Sequence, residues 1–240
     1  MWNRLPPGCS PPLHTRHIRV SAAGDLEDPL MRLYFRAKSN DPSRDIAIRR
    51  YGFAIVDARA IAAIGAWARN GLVELGAGTG YTAALLNDYE IDVVAFDLDP
   101  PPSPTNRWFA GTTPWFDVQR GDETVVDDYT DRCLMLVWPT MNETWAADAV
   151  ERFHAGGGER VVFVGEGPGG HSGDDRFHAM IGTLHRCYRC AYGLLEPMCV
   201  CEVPRLYNVR ARVPIPHWDG FRDSVYLLER RDPHLQAVLP

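Results

Sequence analysis

Residues Leu72–Leu86 read LVELGAGTGYTAALL: an apolar run broken by one acid, Glu74, then three glycines at alternate positions, then a helical pattern. A short apolar run ending in closely spaced glycines reads as a buried strand entering a tight turn. Val73 and Leu75 belong to the strand, while Gly76, Gly78 and Gly80 let the backbone turn and approach a ligand where a Cβ would clash. The helix that follows points its free N–H groups into the same crevice. Dinucleotide-binding turns carry G-x-G-x-x-G, but here the third-glycine position is Tyr81 and the pattern is G-x-G-x-G. A glycine turn in an α/β sheet can also hold nothing.

The flanking pattern extends this unit into a layered fold. Strands are expected at 71–75, 92–97, 117–120, 133–138 and 159–165, with helices at 80–88, 143–153 and 174–186. Such alternation predicts a doubly wound, mostly parallel α/β sheet, and right-handed crossovers gather its ligand-facing loops at the carboxyl edge. Tyr207–Val213 and Ser224–Leu228 read as a terminal antiparallel hairpin. Upstream, Met1–Asp28 reads as an irregular arm, with short helical pieces at Pro29–Arg36 and Arg44–Tyr51 broken near Pro42. Asp57–Asn70 reads as the helix before the first strand, closed by Gly71. The expected organisation is an arm with cap helices over 1–56, a core domain over 57–231 with a cysteine-rich insertion at about 187–206, and a tail over 232–240.

Glu74 followed by the alternate glycines is similar to the first motif of the class I S-adenosylmethionine (SAM)-dependent methyltransferases, acid-x-Gly-x-Gly-x-Gly. The resemblance covers about Asp57–Arg231 and implies SAM as cofactor. Glu74 would then hold the methionine ammonium, and Gly76, Ala77, Gly78 and Gly80 would wrap the methionine part. Asp97 follows the glycines by about 20 residues, the spacing of a ribose-binding acid, with Asp99 its competitor. Asp122 matches the loop acid that contacts adenine, or else belongs to an ordinary Gly-Asp turn. Families that methylate amines carry Asn/Asp/Ser-Pro-Pro-aromatic after the fourth strand. Here Val137-Trp138-Pro139-Thr140 keeps only Pro139, which counts against amine methylation. Trp138 can wall a flat ligand or fill the core. The segments RYGFAI, VWPT and GEGPGGHSGDD further resemble a methyltransferase-like group of bacteria, fungi and large viruses.

Methyl transfer asks the protein to align an acceptor, exclude water and manage one proton. After the fifth strand, Glu166 is followed by a glycine-rich stretch carrying His171, Asp174 and Asp175. His171 is a proton acceptor suited to neutral pH. Glu166 and Asp174 are further catalytic candidates, though Asp174 also suits a helix N-cap. His178 reads as structural, and Tyr51 or Phe53 either covers the cofactor or anchors the arm. Cys187, Cys190, Cys199 and Cys201 place four thiols within fifteen residues, a pattern for structural zinc, redox chemistry or unligated thiols.

The net charge of −6 lacks the basic field of a dedicated nucleic-acid binder. No apolar run has membrane-spanning length, and Met1–Leu13 has no hydrophobic leader core, so a cytoplasmic protein is expected. The expected activity is methyl transfer to an oxygen or nitrogen of a small molecule, as in natural-product biosynthesis. The alternatives are a peptide or protein methyltransferase and a SAM-binding partner without activity.

Overall fold

All four residues of β1 (Leu72–Leu75) are buried, because the strand lies inside a seven-stranded sheet with both faces covered. The computed structural model describes residues 42–184 and 202–232. In chain order its elements are α1 (Pro42–Tyr51), α2 (Ala58–Trp67), β1, α3 (Tyr81–Asp88), β2 (Val93–Asp97), β3 (Val118–Arg120) and a 3₁₀ helix (Glu123–Tyr129). These are followed by β4 (Cys133–Val137), α4 (Trp145–Ala155), β5 (Arg160–Gly165), α5 (Asp175–Met180), β6 (Tyr207–Pro214) and β7 (Ser224–Arg230). The strand order is β3-β2-β1-β4-β5-β7-β6. β1 to β5 are parallel, and β7 enters antiparallel between β5 and β6. This is the expected doubly wound, mostly parallel α/β sheet with a terminal antiparallel hairpin.

Alternation along the strands divides the core into two clusters. Leu72 faces Ile61 and Ile64 of α2 with Leu85 of α3, whereas Val73 and Leu75 face Val150 and Phe153 of α4. The strand order reverses between β1 and β4, which opens a crevice at their carboxyl ends. Register then sets the neighbours there. Val137 pairs with Val164, and Gly165 with Ser224, so Trp138, Glu166 and Asp223 emerge side by side.

Several expected boundaries shift for local reasons. α1 begins at Pro42 instead of breaking there, since a first-turn proline lacks only an N–H that has no helical acceptor. α2 ends at Trp67, and Gly71 (φ +84°) lies in the following turn instead of closing the helix. The helix expected over 174–186 stops at Met180, where Gly182 (φ +73°) turns the chain and donates its N–H to Ala179 O. The 3₁₀ helix was not foreseen; it buries one apolar side chain, Val126, too few for a periodic signal. Among the described residues, no helix is long and apolar enough to cross a membrane.

Candidate functional site

A cleft of about 870 Å³ opens over the carboxyl ends of β1, β2 and β4. That lies within the range of small-molecule sites. Gly76, Gly78 and Gly80 have φ of +74°, +54° and +72°, the left-handed region that favours glycine, so the turn follows from their spacing. The Gly78 N–H donates to Asp97 Oδ2 at 2.9 Å, tying the end of β2 to the turn after β1. Asp97 Oδ1 accepts from the Asp99 N–H at 3.0 Å, and a carboxylate with about four acceptor sites has capacity left. Asp99 is more fully engaged: its Oδ2 accepts from Ser103 and Thr105 and its Oδ1 from Arg120. Those bonds hold its carboxyl below the usual range, the Thr105 and Ser103 hydroxyls first.

Glu74 is 1% exposed, yet it lines the cleft. Its Oε2 has no hydrogen-bond partner. Burial, and then the charge of Asp97, pushes its carboxyl up to about 8. An unpaired buried carboxyl opening on a cleft is a seat for a cation, which restores the charge compensation that burial removed. Asp122 also lines the cleft, with Oδ1 accepting from the Thr124 N–H and hydroxyl at the start of the 3₁₀ helix.

The other half of the cleft comes from distant segments. Trp138 follows β4 with φ +49°, uncommon outside glycine. Its N–H donates to Val164 O at 2.8 Å, and its Nε1 donates to Asp223 Oδ1 at 2.9 Å. Its indole stacks on Phe53, with centroids 5.1 Å apart and planes 14° from parallel. Asp223 is 2% exposed and its Oδ2 has no partner. Burial pushes it up to about 7; the Trp138 bond opposes that rise and the nearby Glu166 adds to it.

His171 lines the cleft, and its Nδ1 lies 2.7 Å from Glu166 Oε2. A carboxylate only accepts, so Nδ1 is the donor of this bond and Nε2 is the ring nitrogen left to face the cleft's ligands. Glu166 also accepts from the His171 N–H at 2.9 Å and, through Oε1, from the Arg222 N–H at 2.9 Å. It is buried beneath the loop, away from the cleft lining. Both oxygens of Glu166 thus hold His171 and the β6–β7 loop, so it stands behind His171 instead of in the cleft lining. Asp174 takes the N-cap position that its sequence context also suited. It caps α5, accepting from the Phe177 N–H at 2.8 Å, and does not reach the cleft. His178 is buried between Ser172 O and the Thr183 hydroxyl. Tyr51 and Phe53 both line the cleft, Tyr51 buried and stacked on Trp115, Phe53 stacked on Trp138.

Arg44, Phe221 and Asp223 went unnoticed in the sequence. Arg44 precedes the core by a full helix, and Phe221 and Asp223 lie in a loop without periodicity, so only the sheet register brings them to Trp138. Cys187, Cys190, Cys199 and Cys201 lie outside the described residues. Among the described residues, no group of three or more His, Cys, Asp or Glu could hold a metal.

No family model and no curated protein matches the chain. Solved structures do. A mutant of MtNAS in complex with SAM is 17% identical, with a TM-score of 0.41, over 72% of this chain and 60% of that one. Magnesium protoporphyrin IX methyltransferase (ChlM) from Synechocystis PCC 6803 with bound SAH is 9% identical, with a TM-score of 0.39, over 84% and 93%. A SAM-dependent methyltransferase from Anabaena variabilis is 8% identical, with a TM-score of 0.39, over 67% and 77%. The chain thus spans under two thirds of the MtNAS length, and each likeness lies in the fold alone.

Proposed function

We propose that the chain is a SAM-dependent methyltransferase acting on an oxygen or nitrogen of a small molecule. The observation that carries this reading is Glu74, a buried carboxyl with an unpaired oxygen beside the G-x-G-x-G turn. The residues fit the group: Glu74 suits the methionine ammonium, the unused acceptor sites of Asp97 suit the ribose hydroxyls, and Asp122 suits the adenine edge. Bound SAM supplies an electrophilic methyl on a sulfonium.

The chain's own part is alignment, exclusion of water and removal of one proton. Trp138 and Phe53 wall the acceptor on one side. The acceptor atom would be held in line with the methyl that SAM supplies, and His171 Nε2 would take the proton that atom loses. Glu166 orients that imidazole and stabilises its charged form. The aromatic lining of the cleft favours a small flat acceptor over a peptide. A structural zinc on Cys187, Cys190, Cys199 and Cys201 is a separate proposal, tested by elemental analysis of protein purified without chelator.

Calorimetry tests the cofactor half. SAM and S-adenosylhomocysteine should bind and NAD should not. Asp97→Ala should weaken SAM by about 10–150-fold, the loss of charge-assisted hydrogen bonds worth roughly 1.5–3 kcal/mol. NAD binding, or unchanged SAM affinity in Asp97→Ala, would overturn the reading. With an acceptor in hand, His171→Ala should lower turnover by about 10²–10⁴ and leave SAM affinity intact.

A further inference from the structure

Aromatic side chains run through the cleft as an unbroken series. Phe109 stands against the glycine turn, where a Cβ on Gly78 would lie 2.5 Å from its ring. Phe53 follows at 6.1 Å from Phe109, then Trp138 at 5.1 Å from Phe53 and Phe221 at 5.6 Å from Trp138. His171 ends the series at 5.1 Å from Phe221. All five line the cleft. Phe53 and Trp138 lie nearly parallel at stacking distance, so no ring fits between them, and a further ring can stack only on an outer face of the pair. The wall is rigid, since Trp138 is held at φ +49° by one backbone bond and by Asp223.

Arg44 stands over this series. It lines the cleft, its side chain is only 17% exposed, and its Cζ lies 4.5 Å from the Phe221 centroid. Its Nε is buried with no hydrogen-bond partner. The only carboxylate oxygen within ion-pair range among the described residues is Oδ1 of the exposed Asp45, at 3.9 Å, beyond hydrogen-bond distance. Asp223 attracts it from behind the wall. A guanidinium carries five donors in a planar fork, and one largely drawn out of water with its Nε–H unfilled is costly. The fork matches a planar anion, above all a carboxylate gripped by two donors.

We propose that the acceptor is a planar aromatic acid, its ring stacked on the outer face of the Phe53–Trp138 pair and its anionic group on Arg44. The hydroxyl or amine to be methylated is carried by the same ring. The methyl-transfer part of this proposal rests on the SAM reading above; the binding part does not. A cationic aromatic amine, which an aromatic cage alone would accept, is disfavoured by the guanidinium.

The test is calorimetry on the full chain saturated with S-adenosylhomocysteine, and again without it. The probes are salicylate, hydroxynaphthoate, the neutral salicylamide and the cationic tyramine. Salicylate should bind at least about 10-fold more tightly than salicylamide, hydroxynaphthoate more tightly still, and tyramine most weakly. Arg44→Met should weaken both acids by about 10–100-fold and bring salicylate level with salicylamide, with S-adenosylhomocysteine affinity unchanged. Arg44→Lys, which keeps the charge but loses the fork, should fall between. If Arg44→Met does not fold, the acid-to-amide ratio of the wild type decides. Equal binding of acid and amide, tightest binding of tyramine, or no binding of any aromatic probe would overturn the proposal. Acid binding without S-adenosylhomocysteine binding would sink the methyltransferase reading and leave the acid subsite standing. The reverse pattern would sink the subsite alone.

Discussion

Glu74 and Asp223 are both carboxyls buried at the carboxyl edge of one sheet, and burial raises both, to about 8 and about 7. Their surroundings differ. Each keeps one oxygen without a partner, but Glu74 lines the cleft, whereas Asp223 lies off the cleft lining and spends its other oxygen on the Trp138 indole. The first waits for something to bind, and the second braces a wall. The two halves of the cleft divide in the same way. One half is made of strand ends and glycine backbone within Glu74–Asp97, the other of side chains drawn from α1, the end of β4, the loop after β5 and the β6–β7 loop.

If Glu74 is the cation seat, it should dominate the energetics of the first half. Glu74→Gln should weaken SAM by about 3–5 kcal/mol, roughly 10²–10³-fold or more, because it leaves the bound ammonium without its buried counter-charge. A loss under tenfold would break the contrast with Asp223.

A second effect is smaller and depends on pH. The raised Glu74 carboxyl keeps its proton in the folded chain over a range where the unfolded chain has lost it. Its stabilising contribution is therefore complete below about pH 4.5 and is lost as pH rises through about 8. Thermal melts of the ligand-free protein should fall between about pH 5 and pH 8, and Glu74→Gln should reduce that fall to the part due to Asp223, which burial raises to about 7. Binding a cation beside Glu74 reverses the preference, so SAM should release close to one proton near pH 7. Calorimetry in buffers of different ionisation enthalpy reads this directly. No proton release in the wild type, or an equal release in Glu74→Gln, would place the titrating group elsewhere.

The first half was legible because its determinants are local. Three glycines at alternate positions need positive φ, and the apolar runs around Val73 and Phe96 can only be buried strands, so Glu74 and Asp97 are brought together by a single strand–helix–strand unit. The second half was legible only in part. His171 and Trp138 announce themselves as a histidine in a glycine-rich loop and a tryptophan at a strand end. Arg44 and Asp223 give no such signal, since their meeting depends on α1 packing over the β6–β7 loop and on Gly165 pairing with Ser224. Glu166 and Asp174 were ambiguous in the sequence for a related reason. An acid near a sheet edge can bind a ligand or satisfy backbone N–H groups, and only coordinates show which N–H groups would otherwise be orphaned.

Asp223→Ala sharpens the comparison from the other side. It leaves the Trp138 Nε1–H unpaired in a buried setting, at a cost of about 1–3 kcal/mol, and frees the indole from the wall. Acceptor KM should rise and the melting temperature should fall, while SAM affinity stays within about twofold of wild type. Loss of SAM affinity comparable to that in Glu74→Gln would show that the two halves are one coupled network.

The smallest effect is expected at Asp174, which separates capping from chemistry. Its side chain accepts from the Phe177 N–H at the start of α5, and Phe177 packs edge-on to Phe163 of β5. Asp174→Ala should therefore cost about 1 kcal/mol of stability, the usual loss for an N-cap. Asp174→Ser should recover most of it, because a serine hydroxyl can accept the same bond. Neither substitution removes a group from the cleft, so turnover per folded molecule should stay within about twofold of wild type. If Asp174→Ala lost turnover beyond its loss of stability and Asp174→Ser failed to restore it, the carboxylate itself would be needed. The acceptor half would then extend past His171 to α5.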